Sequence, residues 1–136
     1  MITNLSYDCD VLIIGAGPAG CTAATILAEE KGRKVIVLEK EHFQRYHVGE
    51  SLIPHCWDTL DRLGMTDRLD KEGFQSKQSV QFASPEGEVS TPFYFSKHTD
   101  HPRAKTWQVD RETFDTMMME RAREAGAEVR EGIKVL

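Results

Sequence analysis

Apolar residues are distributed along the chain in short blocks with two rhythms. Val11-Leu12-Ile13-Ile14 and Val35-Ile36-Val37-Leu38 are unbroken apolar runs of strand length. Runs of this kind suit central parallel strands covered on both faces. Between them, residues 18–31 are mostly helix formers, and Gly20, Ala23, Ala24 and Leu27 make a slim stripe able to lie close on a sheet. Pro18 sits at the start of that helix, where its missing N–H costs nothing, and Gly32 is the expected stop. Strand, helix and strand in about 30 residues predict a βαβ unit with a right-handed crossover.

Residues 41–54 break both rhythms and read as loop. Ile53, Trp57, Leu60 and Leu63 return to helical spacing, which predicts a helix over 54–63 closed by Gly64, then one more turn over 66–69. Val80-Gln81-Phe82 alternates, "SPEGE" is a turn, and 89–95 holds a second extended stretch. Together these predict a hairpin, with Pro92 at an edge or a break. Residues 98–103 are polar loop. Trp107-Gln108-Val109 is a short strand, and Asp110 is a suitable N-cap for a helix reaching Ala125. Phe114, Met117, Met118, Ala122 and Ala125 form the apolar face of that helix, Gly126 stops it, and "AEVREGIKVL" begins another strand. The pattern is that of an α/β fold.

Composition narrows the function classes. A length of 136 residues fits one domain, and 40% apolar residues supply a core. The net charge of −5 argues against nucleic acid as a partner, because phosphate-backbone binding needs excess Lys and Arg. Cys9, Cys21 and Cys56 are odd in number and lack C-x-x-C spacing, so a disulfide framework is not expected and a reducing cytoplasm is. The opening "MITNLSYDCD" carries no basic, apolar signal pattern, and no apolar stretch is long enough to predict a membrane span.

The chemistry begins at Gly15-Ala16-Gly17-Pro18-Ala19-Gly20, a G-x-G-x-x-G turn that follows a strand and opens a helix. Glu39 ends the next strand, which completes the dinucleotide-binding fingerprint. Gly15 allows the tight turn, Gly17 leaves room for a pyrophosphate, and Gly20 lets helix and strand approach. Unpaired N–H groups and the helix dipole favour phosphate at that helix start. A carboxylate at Glu39 accepts hydrogen bonds from a ribose and repels a 2′-phosphate, which disfavours NADP. The turn alone leaves FAD and NAD both open.

Two longer blocks carry a family resemblance. "FQRYHVGESLIP" resembles the F-x-R-x-H-x-G-E-S-L-x-P signature of FAD-dependent halogenases and their monooxygenase-like and geranylgeranyl-reductase-like relatives. "WQVDRETFDTMMMERAREAGAEVREG" is similar to the V-x-R-x-x-F-D helix of the same enzymes. The resemblance implies a Rossmann-like FAD-binding domain with a βαβ unit and an inserted β-hairpin. It selects FAD as cofactor, with Gly15, Gly17, Pro18, Ala19 and Gly20 at the pyrophosphate and Glu39 and Lys40 beside the ribose. Arg45 and Ser51 fall in the cofactor-contacting loop, Arg111 matches an arginine that approaches the cofactor, and Val135 falls where the adenine is touched by backbone. "GFQSK" resembles the G-F-x-x-K element that carries the active-site lysine of phenol- and pyrrole-type halogenases, which makes Lys77 the catalytic candidate. In that chemistry reduced FAD and O2 convert halide to a hypohalous acid, which the lysine holds beside a small-molecule substrate. A flavin reductase would supply the electrons. Where the family often has glycine two positions after the lysine, this chain has Ser79, and a solvated hairpin lysine is the plainer alternative for Lys77.

Remaining constellations carry less. His42, His47, His55 and Cys56 match no zinc spacing and suit loop and surface roles, as do His98 and His101. Arg45 and Arg111 have a plainer reading as salt-bridge partners of Glu50 or Asp115. Cys21, just inside the first helix, could have its thiol activated by the helix dipole, but simple packing is the preferred reading. A later G-D motif and a W-x-W-x-I-P element, implied by the resemblance, do not occur in the sequence. The chain is therefore expected to be the N-terminal part of an FAD-binding domain, with a sheet edge open to self-association. A flavin-dependent reductase of isoprenoid double bonds and a non-catalytic nucleotide-binding module are the competing functions.

Overall fold

The computed structural model describes residues 8–30 and 32–136. Most of the N-terminal string inspected for a leader, and the last expected residue of the first helix, Lys31, lie outside the described residues. In chain order the elements are β1 (Val11–Ile14), α1 (Pro18–Ala28), β2 (Val35–Leu38), β3 (Glu50–Ser51), α2 (Cys56–Arg62), α3 (Thr66–Glu72), β4 (Gln75–Lys77), β5 (Ser79–Val80), β6 (Phe93–Tyr94), β7 (Thr106–Val109), α4 (Arg111–Glu124) and β8 (Glu128–Arg130). They fall into two compact units, Met1–His47 with Arg111–Leu136, and Val48–Asp110.

The first unit is a parallel sheet in the order β1-β2-β8, with α1 and α4 packed against each other. The register pairs Val11 with Val35 and Ile14 with Leu38, and β8 continues from Ile36 opposite Glu128. The expected βαβ unit is therefore present, and β8 extends it. Val35, Val37, Cys21, Ala24, Phe114, Met118, Met119 and Ala122 form the buried core, all at 3% exposure or less. One expectation fails at β1. Leu12 and Ile14 are 53% and 66% exposed, so the strand is not covered on both faces. The cause is positional. Strand side chains alternate, α1 lies against the Ile13 face, and β1 ends the strand order among the described residues. The helix α4 also differs from its predicted apolar face: Met119 and the charged Asp115 are buried where Met117 and Ala125 were expected.

In the second unit an antiparallel sheet of order β3-β7-β4 sits beside the short β5-β6 pair. Leu60, Leu63, Met65 and Leu69 form its core with Trp107 and Val109. The helix predicted from Pro54 starts at Cys56. The turn predicted over 66–69 is a full helix to Glu72, ended by Gly73 in the left-handed region at φ 85°. The hairpin is present, but its ladder is confined to Ser79–Val80 with Phe93–Tyr94 and a bridge between Ala83 and Val89; β6 begins just after Pro92, which cannot donate to a ladder. No described helix is long and apolar enough to cross a membrane.

Candidate cofactor site

The glycine turn is built from backbone alone. Gly15 adopts φ 99°, which L side chains rarely enter, and its N–H donates to Leu38 O at 2.8 Å. Gly17 caps α1 with extended backbone, Pro18 follows at the first helical positions, and no side chain caps the helix. Its first-turn N–H groups are thus left to an external acceptor. Gly20 meets the strictest demand. A Cβ there would stand 2.0 Å from Gly15 O and 3.4 Å from Ile13 Cγ2, so only glycine lets α1 close on β1. Ala19 is exposed on the same first turn.

Glu39 stands at the end of β2, 3% exposed. Its Oε2 accepts from Ala16 N–H at 2.8 Å and its Oε1 from Glu41 N–H at 3.0 Å. Burial pushes the carboxyl up, but the N–H groups of Ala16 and Glu41 and the charge of Arg45 outweigh it and hold the group below its usual range. It is therefore an ionised acceptor with lone pairs to spare. A groove of about 380 Å³ runs past it, lined by Gly15, Gly17, Glu39, Lys40, Arg45 and Val135 among others. The far wall is tied to the near one: Ile133 N–H donates to Glu39 O at 2.8 Å, and Phe43 N–H donates to Glu131 Oε2 at 2.7 Å. Val135 is 44% exposed at that wall. Lys40 is exposed and pairs with Glu41 at 3.5 Å.

Arg45 reaches over the turn. Its Nη2 would lie 3.9 Å from a Cβ on Gly17, and its Nε is buried with no hydrogen-bond partner. Arg111 holds a carboxylate of its own helix: Nε and Nη2 donate to Asp115 at 2.7 and 2.9 Å. That pair matches the salt bridge weighed from sequence, but it is not superficial, because Asp115 is fully buried. Cys21 is a packed thiol that donates to Ala16 O at 3.2 Å. Burial, then the charges of Asp115 and Glu39, push its pKa up to about 12, opposite to activation by the helix start.

Two predicted site residues belong to the second unit. Ser51 lies exposed on β3 opposite Gln108. Lys77 is on β4 opposite Thr106, half-buried, with Nζ 3.4 Å from Leu52 O and 5.8 Å from the Phe95 ring centre. It is thus a sheet lysine, not a solvated hairpin one. Sequence reasoning weighed Asp115 only as a salt-bridge partner and did not expect it to be buried. The available signal was a carboxylate within the apolar stripe of α4, one turn after Arg111.

An ADP-bearing cofactor fits these groups. The orphaned Arg45 Nε and the uncapped helix start offer donors to a pyrophosphate, and Glu39 offers acceptors to a ribose diol. Comparison with known proteins agrees. The family described as the FAD binding domain matches residues 8–136. A flavin-dependent halogenase of Armillaria mellea is 38% identical over 99% of this chain and 26% of its own length. The solved myxobacterial chondrochloren halogenase superposes with a TM-score of 0.83 at 37% identity, over 94% of this chain and 30% of that one. A flavoprotein/dehydrogenase from Cytophaga hutchinsonii gives a TM-score of 0.82 at 39% identity, over 94% and 31%. The chain spans about a quarter to a third of the length of these relatives. By sequence and by fold, the chain belongs to the FAD-binding-domain family, with FAD as its cofactor.

Proposed function

We propose that this chain is the N-terminal FAD-binding part of a flavin-dependent halogenase, and that its groove takes the ADP half of the cofactor. The observation that carries the reading is the convergence of an uncapped helix start, an ionised Glu39 and the uncommitted Arg45 Nε on one groove. Gly15 and Gly17 give the pyrophosphate room, the first turn of α1, begun by Pro18, presents the N–H groups of Ala19 and Gly20, and Glu39 accepts from the ribose. Lys40 and Val135 border the adenosine side, and Ser51 and Arg111 are the further residues assigned to the cofactor.

Bound reduced flavin, with O2, supplies the oxidising power for halide. Lys77 is the residue of this chain assigned to the oxidised halogen. Its ammonium is half-buried and donates to Leu52 O, so it is a directed donor in a partly dry setting. The likeness to halogenases supports halogenation of a small molecule, with electrons from a flavin reductase, over hydroxylation or isoprenoid reduction. Free Cys9, Cys21 and Cys56 support a reducing, cytoplasmic setting. The exposed Leu12 and Ile14 on an edge strand support self-association of the isolated chain.

The test uses the full-length protein carrying this segment. Lys77→Ala should abolish chlorination and bromination while the flavin remains bound at wild-type stoichiometry. Unchanged halogenation would remove Lys77 from the mechanism. Flavin-dependent reduction or hydroxylation with no halogenation in wild type would move the chain to the reductase or monooxygenase reading.

A further inference from the structure

We propose that Asp115 is a positioning residue for the cofactor pyrophosphate, acting through Arg45 and itself locked by Arg111. The inference rests on the reading of the groove as an FAD site. Asp115 is fully buried on α4, where a lone carboxylate would be costly. The bidentate grip of Arg111, at 2.7 and 2.9 Å, already satisfies it. A second cation is nevertheless drawn in: Arg45 Nη2 stands 3.8 Å from Asp115 Oδ2.

That distance has counterparts. Arg45 Nη2 is 3.7 Å from Glu39 Oε2, and Nη1 is 3.6 Å from Glu41 Oε2. All three separations are within ion-pair range and beyond the 2.7–3.2 Å typical of an N–H···O hydrogen bond. The guanidinium is therefore suspended among three carboxylates, attracted by each and bonded to none. Nη1 contacts His47 Nε2, and Nε has no partner. The positive charge is fixed over Gly17 while Nε and Nη2 stay uncommitted, which is what an incoming anion requires.

Removing Asp115 removes one of three opposing pulls. The guanidinium then closes on Glu39 or Glu41, which lie only a few tenths of an ångström beyond hydrogen-bond reach. Its donors become committed, and in the Glu39 case a ribose acceptor is covered. A second effect has the opposite sign: losing a carboxylate also removes a repulsion on the phosphates. Positioning predicts weaker pyrophosphate binding, and bare charge predicts tighter binding, so the direction of the change decides between them.

The experiment compares wild type, Asp115→Asn, Arg45→Met and the double variant. Dissociation constants for ADP and adenosine are measured by calorimetry, and melting temperatures by circular dichroism. Asp115→Asn should weaken ADP about tenfold and adenosine about threefold or less; in the Arg45→Met background it should change ADP affinity less than about twofold. A folded Asp115→Asn protein that binds ADP as tightly as wild type, or tighter, overturns the proposal. So does an equal loss in both backgrounds, the mark of a general structural effect. Should Asp115→Asn fail to fold, Arg111→Lys takes its place in the same cycle, with the same outcomes. Wild type that binds neither FAD nor ADP fells the cofactor reading itself and this proposal with it, a result distinct from any variant effect.

Discussion

Gly20→Ala sets two opposing terms against each other at a single methyl group. Gly20 lies in the first turn of α1, and alanine is the better helix former by about 1 kcal/mol, so propensity alone predicts stabilisation. Geometry predicts the reverse. The new Cβ would lie 2.0 Å from Gly15 O and 3.2 Å from Gly15 C, both backbone atoms with no rotamer to change. Turn and helix would have to part by about 1 Å in an interior without slack. Overpacking costs about 1–3 kcal/mol, and a backbone contact this short belongs at the upper end. After the propensity gain is subtracted, about 2 kcal/mol of destabilisation remains, a fall in Tm of about 6–10 °C for a chain of this size. Thermal melts followed by circular dichroism at fixed protein concentration read this directly. Gly17→Ala is the internal control: its Cβ would meet only Arg45 Nη2 at 3.9 Å, so stability should change by about 1 kcal/mol or less while ADP affinity falls. A Gly20→Ala protein melting at or above wild type would refute the claim that this glycine is required by the approach of helix to turn.

Three further outcomes follow from the same geometry. Glu39 has a depressed folded-state pKa, so its stabilising effect is present above the unfolded value of about 4.3 and is lost as pH falls through the folded value. The stability advantage of wild type over Glu39→Gln, measured by urea unfolding, should therefore be widest near neutral pH and shrink below about pH 4; a gap that widens on acidification contradicts it. Cys21, with a buried thiol raised to about 12, should resist a disulfide-exchange reagent at mildly alkaline pH in the native state, while the half-buried Cys9 and Cys56 react. Rapid native labelling of Cys21, identified by peptide mapping, would show that the α1 core opens far more readily than its packing implies. Ile14→Thr should lower the self-associated fraction in sedimentation experiments by shrinking the exposed apolar row of β1, and an unchanged distribution would exclude that face as the contact.

The elements that could be read from the sequence were those whose pattern is local. Two apolar runs, a proline start and three glycines at fixed spacing specify β1, α1 and β2, because strand burial and turn geometry act over a few residues. Glu39 was legible for the same reason. The strands β3 and β4 were not predicted, since two- and three-residue strands have no periodicity to detect and exist only through pairing with β7. Met119 and Asp115 were misread on α4 because the buried stripe of a helix is set by its neighbours: α1 offers small residues, and Arg111 and Arg45 supply the charge beside Asp115. The family resemblance reached Arg45 and Arg111 but assigned both to the cofactor directly. The structure adds the contacts the sequence could not give: Arg45 lines the groove, and Arg111 grips a buried carboxylate.

A carboxylate beside the proposed pyrophosphate site is electrostatically unexpected, and the bonds of Glu39 give it a structural reason. Its side chain ties the glycine turn through Ala16 N–H and the following loop through Glu41 N–H, while its backbone oxygen receives Ile133 N–H from the far wall. The residue that would read the ribose thus also joins the three segments enclosing the groove. A Gln in its place keeps one acceptor oxygen but loses the charge on which the Ala16 and Glu41 bonds and the nearby guanidinium depend. On the proposed reading, recognition and closure share one side chain. Binding affinity, on that same reading, comes from donors that folding leaves unused: the first turn of α1 and the Nε of Arg45.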